Sequence, residues 1–480
     1  MPAADERRCA TTTAPVEDQS EAVSKTRPAS SAADLPVAEK RASSSSDVES
    51  PIPSDASPVK LAVARDGQIR FAPGSRLLNN LSWVVGCLEL ANAGDFAANV
   101  WNQVPIPIYA IVLMAIGGTV AGVMCLFAFA DSRHAWHNIQ FLRRQRCQLL
   151  DERARCREGD ADSRALDILL CVSFREVWSE IINRWAMDIL MGCGAVFISA
   201  GTYMAIAGAN PAVWQASNLL SGYLGNSPMA LFALVNSSWA IYIWSVAQAH
   251  VRSSHQHLAG SRAAALVKRR SRNLQLFYAI NGTASIVGGV GSMLTATYWW
   301  GYVLLIPVII SSIFCNLWWR HRTGYTRSRE LPPINPTGLA TGLEFAAKAE
   351  ALLREEQPAS PLQAFVPGHP SLSEVLAFLR QNGLGDALCL DVASDPKLRG
   401  ALGLEHVSKG AEFEVGLDHL ASLPAAWHLD LLRKADECIS REGPMHFRNR
   451  ERHLAELLGT CCSMVGKIDF EEEDSSEKHG

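Results

Sequence analysis

Six histidines sit at the edges of apolar stretches. His134 and His137 are one helical turn apart, with Asp131 a turn before them. His250 and His257 are two turns apart, with His255 nearby, and His321 closes the last apolar run. Neutral imidazoles at helical spacing can hold zinc, another transition metal or a haem iron. His134, His137, His250 and His257 are the candidate ligands. The spacings match no established ligand signature, and polar residues gather wherever helices leave lipid. The plainer reading is an edge ring with no cofactor.

A second set lies inside the apolar stretches: Asn236, Ser237, Asn281 and Asn316. Such groups either hydrogen-bond between helices or line a polar path. A third set is made of small residues. Gly118 and Gly122 form GxxxG, Gly201 begins a ladder with Ala205 and Ala209, and Gly288 lies between Ala284 and Ser292. Small faces let helix backbones approach closely where lipid gives no hydrophobic drive for association. Gly288 also stands in a glycine-rich run that could break a helix, as in transporters. No Walker A, HExxH, GxSxG or kinase set is present, so an enzyme is disfavoured. No Asp, Glu, Lys or Arg falls within an expected span, although Asp188 is at an edge. That argues against proton coupling and voltage sensing.

The elements that must position these residues are long and apolar. Leu274 to Trp319 contains no Asp, Glu, Lys or Arg, and neither does Ile189 to Val251. A bilayer core about 30 Å thick takes roughly 20 apolar residues of helix. Five spans are expected, near 106–130, 189–207, 229–249, 274–298 and 300–319. Trp299, Trp300, Trp318 and Trp319 bracket the last one at headgroup depth. The stretch 77–101 is mixed. Glu89, Asp95 and several Asn make it an expected interfacial amphipathic helix within a juxtamembrane segment 59–105, with a sixth crossing as the alternative. Asn80-Leu81-Ser82 is a glycosylation triplet if that side is lumenal. Asp131 to Arg184 reads as a helical hairpin in water.

Lys and Arg concentrate in Asp131–Trp185, His250–Asn273 and Arg320–Arg329, and are absent from Gly208–Pro228 and Tyr298–Gly301. Basic loops stay in the cytosol. Five spans then put the C-terminus inside and the N-terminus outside or in the lumen; a crossing at 77–101 would return the N-terminus to the cytosol.

Around the bundle (106–322), residues 1–58 read as a disordered Ser/Pro/Ala-rich tail without a signal peptide. Asp66-Gly67 marks a hairpin turn in Val63–Phe71. Residues 323–340 form a Pro-rich linker, 341–466 a small helical cytosolic domain, and 467–480 an acidic tail. The net charge of −4 gives no case for nucleic acid, and the twelve Cys show no CxxC or metal-type spacing. The fold expected is an all-α polytopic membrane bundle with helical cytosolic hairpins.

The run Tyr298-Trp299-Trp300-Gly301-Tyr302, through Pro307, to Asn316-Leu317-Trp318-Trp319-Arg320 resembles a segment of uncharacterised integral membrane proteins of filamentous fungi. The likeness covers mainly residues 274–326 and implies no activity. The function expected is a non-enzymatic membrane protein that presents cytosolic helical surfaces, chiefly 341–466, to protein partners. A channel or facilitative transporter is the alternative, and a metal or haem protein using the edge histidines a further one.

Overall fold

The computed structural model describes residues 58–101, 103–159, 163–404 and 407–477, with side chains as far as residue 465. The Ser/Pro-rich tail expected at 1–58 lies outside the described residues but for its last position.

Two short strands, β1 (Val59–Val63) and β2 (Ile69–Phe71), open the described chain. A 3-10 helix, Trp83–Ala93, leads into the short α1 (Phe96–Val100). Then come α2 (Ile108–Glu158), α3 (Arg164–Glu180), α4 (Met187–Ala205), α5 (Pro211–Asn218), α6 (Ser227–His257), α7 (Arg262–Thr295) and α8 (Gly301–Trp318). Wide π-turns join α3 to α4 (Ile181–Ala186) and α5 to α6 (Leu219–Leu224), and another ends α8 (Trp319–Thr323).

Four helical runs are long and apolar enough to cross a bilayer: Ile108–Arg157, Arg164–Ala205, Pro211–His257 and Gly301–Thr323. They overlap four of the expected spans. The fifth, at 274–298, is not among them, because Gln275, Asn281, Ser285 and a series of glycines dilute the apolar half of α7. That half is packed along its length all the same. Gly282 lies against Ala240 and Gly289 against Ala230 and Ala233 of α6, while Gly288 meets Val308 and Gly291 meets Leu304 of α8.

The stretch 77–101, expected as an interfacial helix, packs along α8. At one end the Ser82 carbonyl accepts from Asn316 Nδ2 at 2.9 Å. At the other, Tyr302 Oη donates to Asp95 Oδ1 at 2.8 Å. Between them Gly86 packs on Ile313, and Gly94 on Gly117 and Ala121. The reason is geometric. A 3-10 helix has three residues per turn and rises about 2 Å per residue, so a short segment spans about 22 Å. Glu89, Asn92 and Asp95 recur every third residue and share one face, and all are buried. Their polarity is taken up by neighbours inside the bundle and not by water.

After the bundle come α9 (Pro336–Ala351), α10 (Pro361–Phe365), α11 (Leu372–Asn382), α12 (Gly385–Ser394), α13 (Pro396–Ala401), β3 (Glu412–Val415), α14 (Leu417–Ala421) and α15 (His428–Glu477). Ser371 and Glu374 form a reciprocal capping box on α11, and Gly383 ends it in the left-handed region at φ 71°. The expected hairpin exists, with Leu61 opposite Phe71, but it is the smaller part of a sheet ordered β2-β1-β3. Val59 pairs with Val415 and Leu61 with Phe413, antiparallel. Leu61, Val63 and Ile69 therefore join Leu379, Leu388, Leu431 and Phe447 in one core. The start of the described chain and the C-terminal helices thus lie at the same end of the bundle. The expected linker is an ordered strap, with Arg327 bridged to Leu77 and Tyr325 buried.

Candidate functional site

The polar residues that the 3-10 helix carries inward meet a π-turn. A π-turn widens the helix and re-aims its side chains. The turn Ile181–Ala186 points Arg184 across to α2, where its Nε donates to Asp131 Oδ2 at 2.8 Å and its Nη1 to Asn80 Oδ1 at 2.7 Å. One helical turn on, Asp188 is fully buried, and neither of its carboxylate oxygens has a hydrogen-bond partner. Glu180 lies 3.7 Å from Arg184, and its Oε2 is likewise buried without a hydrogen bond. Arg184 is thus the one arginine among Asp131, Glu180 and Asp188. Buried polar atoms are normally satisfied, so this surplus of acceptors calls for an explanation.

A cavity opens beside this cluster and runs to the middle of α8. Its wall includes Glu89, Asn281, Ser285, Ser312 and Asn316, with Arg184 and Glu180 at its inner end. Glu89 is 9 % exposed, and its carboxylate accepts a hydrogen bond from Asn92 Nδ2 at 2.7 Å. Among the described residues no Lys, Arg or His forms an ion pair with it. Asp95, near the far end, is held by Tyr302 and by Asn99 Nδ2 at 3.0 Å.

A second cavity adjoins the first and shares Ser179, Glu180 and Trp319 with it. Its wall adds Arg175, His250, Arg270, Tyr278 and Glu456. Helix α15 closes it. Arg175 Nη2 donates to Glu456 Oε1 at 2.9 Å and to Thr460 Oγ1 at 2.6 Å, and Thr460 Oγ1 lies 3.4 Å from His250 Nε2. Burial alone would raise the Glu456 carboxyl; Arg175, His250 and Arg270 outweigh it and hold the group down at about 2. Arg452 donates to the Gly324 carbonyl at 2.6 Å, and the His453 ring stacks 5.4 Å from Tyr325. Burial, helped by Arg327, pushes His453 down to about 3, so it is neutral at ordinary pH. Tyr325 Oη in turn donates to Glu176 Oε1 at 2.6 Å.

The structure sorts the residues singled out by type and spacing. Asn281 and Asn316 line the first cavity. Asn236 stands behind that wall, donating to Ser285 Oγ at 2.7 Å. Ser237 bonds the Ala233 and Gly282 carbonyls and only joins helices. Gly118 packs on Tyr203 and Gly122 on Ser199, Gly201 on Ser221, and Gly288 on Val308. The histidines are not brought together. His134, His137, His257 and His321 are exposed, while His250 is buried against α15. Among the described residues no group of three or more His, Cys, Asp or Glu is arranged to hold a metal ion.

Glu89 and Asp188 are what reasoning from hydropathy missed. For Glu89 a signal was there: polar residues at 89, 92 and 95 alternate with apolar ones at 85, 88 and 91, a period of three. For Asp188 there was none beyond its place at a span edge. Comparison with protein families, with curated proteins and with solved structures finds no match for this chain.

Proposed function

We propose that this chain is a multi-pass membrane protein that passes a small cationic or polar solute, as a channel or facilitative transporter, with α15 closing the inner end of the path. The observation that carries this reading is the pair of adjoining cavities lined by carboxylates, Glu89 in the first and Glu180 where the two meet, with Asp188 buried in the neighbouring cluster without a hydrogen bond. An ionisable residue inside a bundle marks a solute or ion path more often than a structural contact. Hydrophobic packing alone has no use for an acid without a cationic partner.

The topology follows in the same proposal. Taking the 3-10 segment and α7 as crossings together with α2, α4, α6 and α8 gives an even number. That returns β1 to the side of the C-terminal helices. The basic stretches Asp131–Trp185, His250–Asn273 and Arg320–Arg329 lie on that side, which makes it cytosolic. The alternative of a platform for protein partners at 341–466 has less in its favour, because the apolar faces of α9 and α15 are spent inside the protein.

The test is cation flux in liposomes that hold the purified full-length chain. Gly459 of α15 packs so closely on His250 that a Cβ would meet the ring at 2.9 Å. Gly459→Val is therefore expected to unseat α15 and raise flux, and adding Glu89→Gln to lower it about tenfold. Absence of flux from both the wild-type and the Gly459→Val protein, for monovalent cations and small neutral solutes alike, would overturn the proposal.

A further inference from the structure

Away from the bundle, a third cavity lies between the β1–β2 hairpin, the far half of α2 and the strap before α9. Three guanidinium groups line it: Arg76, Arg144 and Arg329. Arg76 stacks on Phe71, 4.2 Å from the ring centre. Its Nε is buried and has no hydrogen-bond partner, and the neighbouring Ser75 hydroxyl is in the same state. Among the described residues none of the three arginines forms an ion pair. Lys60, on the same wall, is already paired with Glu414 at 3.4 Å. Two acids, Glu330 and Asp386, also face the cavity, yet neither reaches an arginine within ion-pair distance. Burial raises the Asp386 carboxyl against the pull of Arg76, which weakens it further as a counterion.

Three cations thus share the wall with two acids that pair with none of them, and a buried guanidinium nitrogen left without an acceptor, as Arg76 Nε is, is costly. Guanidinium groups present a planar fork that matches phosphate and carboxylate oxygens two at a time. From this placement we infer that the cavity is a binding site for a phosphate-bearing ligand, held by Arg76, Arg144 and Arg329 with the Ser75 hydroxyl as a further donor. The cavity, of about 220 Å³ and open to solvent, has room for a phosphate or pyrophosphate group. Its α2 wall, Phe141 to Gln148, begins about 15 Å beyond Asp131 at 1.5 Å per residue, which sets the site back from the apolar part of the helix and favours a soluble ligand over a lipid headgroup. The inference is independent of any solute path.

The experiment uses the full-length protein and has two arms. In detergent, inorganic pyrophosphate is titrated by calorimetry. In nanodiscs, the protein is held in phosphatidylcholine with or without a phosphatidylinositol phosphate, and its melting temperature is read. Arg144 and Arg329 are exposed, so Arg144→Gln with Arg329→Gln leaves the fold intact. Binding in either arm that falls at least about tenfold in this double variant supports the site, and the arm that responds identifies the source. The same substitutions are expected to hold or raise the melting temperature without ligand, because they relieve like-charge repulsion. No response in both arms, or binding unchanged in the double variant, would overturn the inference.

Discussion

His453 is the residue at which protonation and docking meet. It is buried among Tyr325, Arg327, Glu176 and Glu456, and is neutral in the folded protein. An unfolded histidine protonates near pH 6.5. Its folded value is depressed, so its contribution is fully present above pH 6.5 and is lost as pH falls from there toward 3. Over the first unit of that window the loss is ~1 kcal/mol. Thermal unfolding of the full-length protein at pH 6.5 and 5.5 is expected to show the drop, and His453→Gln to flatten it. His446, pushed down to about 4 mainly by burial, adds to the slope and sets the residual seen in that variant. Glu456 works in the same direction at lower pH, since its carboxylate stays paired until about pH 2. Residues of this kind show how far the sequence reaches. Asn281 and Asn316 were legible because an amide in an apolar run stands out. Glu456 and His453 were not, because nothing in a polar C-terminal stretch says that it will be buried against a membrane bundle.

The helices were legible for a plain reason. A long run without charge has few fates other than lipid, and the basic loops punctuate it. What hydropathy cannot register is an element whose polarity is satisfied by its neighbours. The 3-10 helix and α7 are both of this kind, too polar for lipid and tight against their partners. Glycines show where that tightness is absolute. A Cβ added to the GxxxG pair would meet side chains, the Tyr203 ring at 3.1 Å from Gly118 and Ser199 Oγ at 3.3 Å from Gly122. Gly117 meets backbone, and a Cβ there would collide with the Gly94 carbonyl, which cannot move aside. Gly117→Ala is thus expected to destabilise the bundle by ~1–3 kcal/mol, and Gly122→Ala by clearly less. Melting of the two variants in one detergent checks the order, and equal effects would contradict it.

At the scale of the whole molecule, bundle and C-terminal helices are tied by α15, by the strap and by the sheet. Small tags after Gly67 and after Gly410, two turn glycines with open space around them, are expected to be reached from the same side of the membrane. A tag in the Tyr298–Gly301 link is expected on the other side. Labelling of the first two from opposite sides would refute the even number of crossings. The pairing of Val59 with Val415 also bears on how the chain is made. The ribosome releases β1 among the first described residues, and its partner emerges only after every bundle helix has been synthesised. Until then Leu61 and Val63 present a bare apolar edge, the kind that chaperones bind and that invites aggregation. A chain that stops short of residue 412 keeps that edge for good.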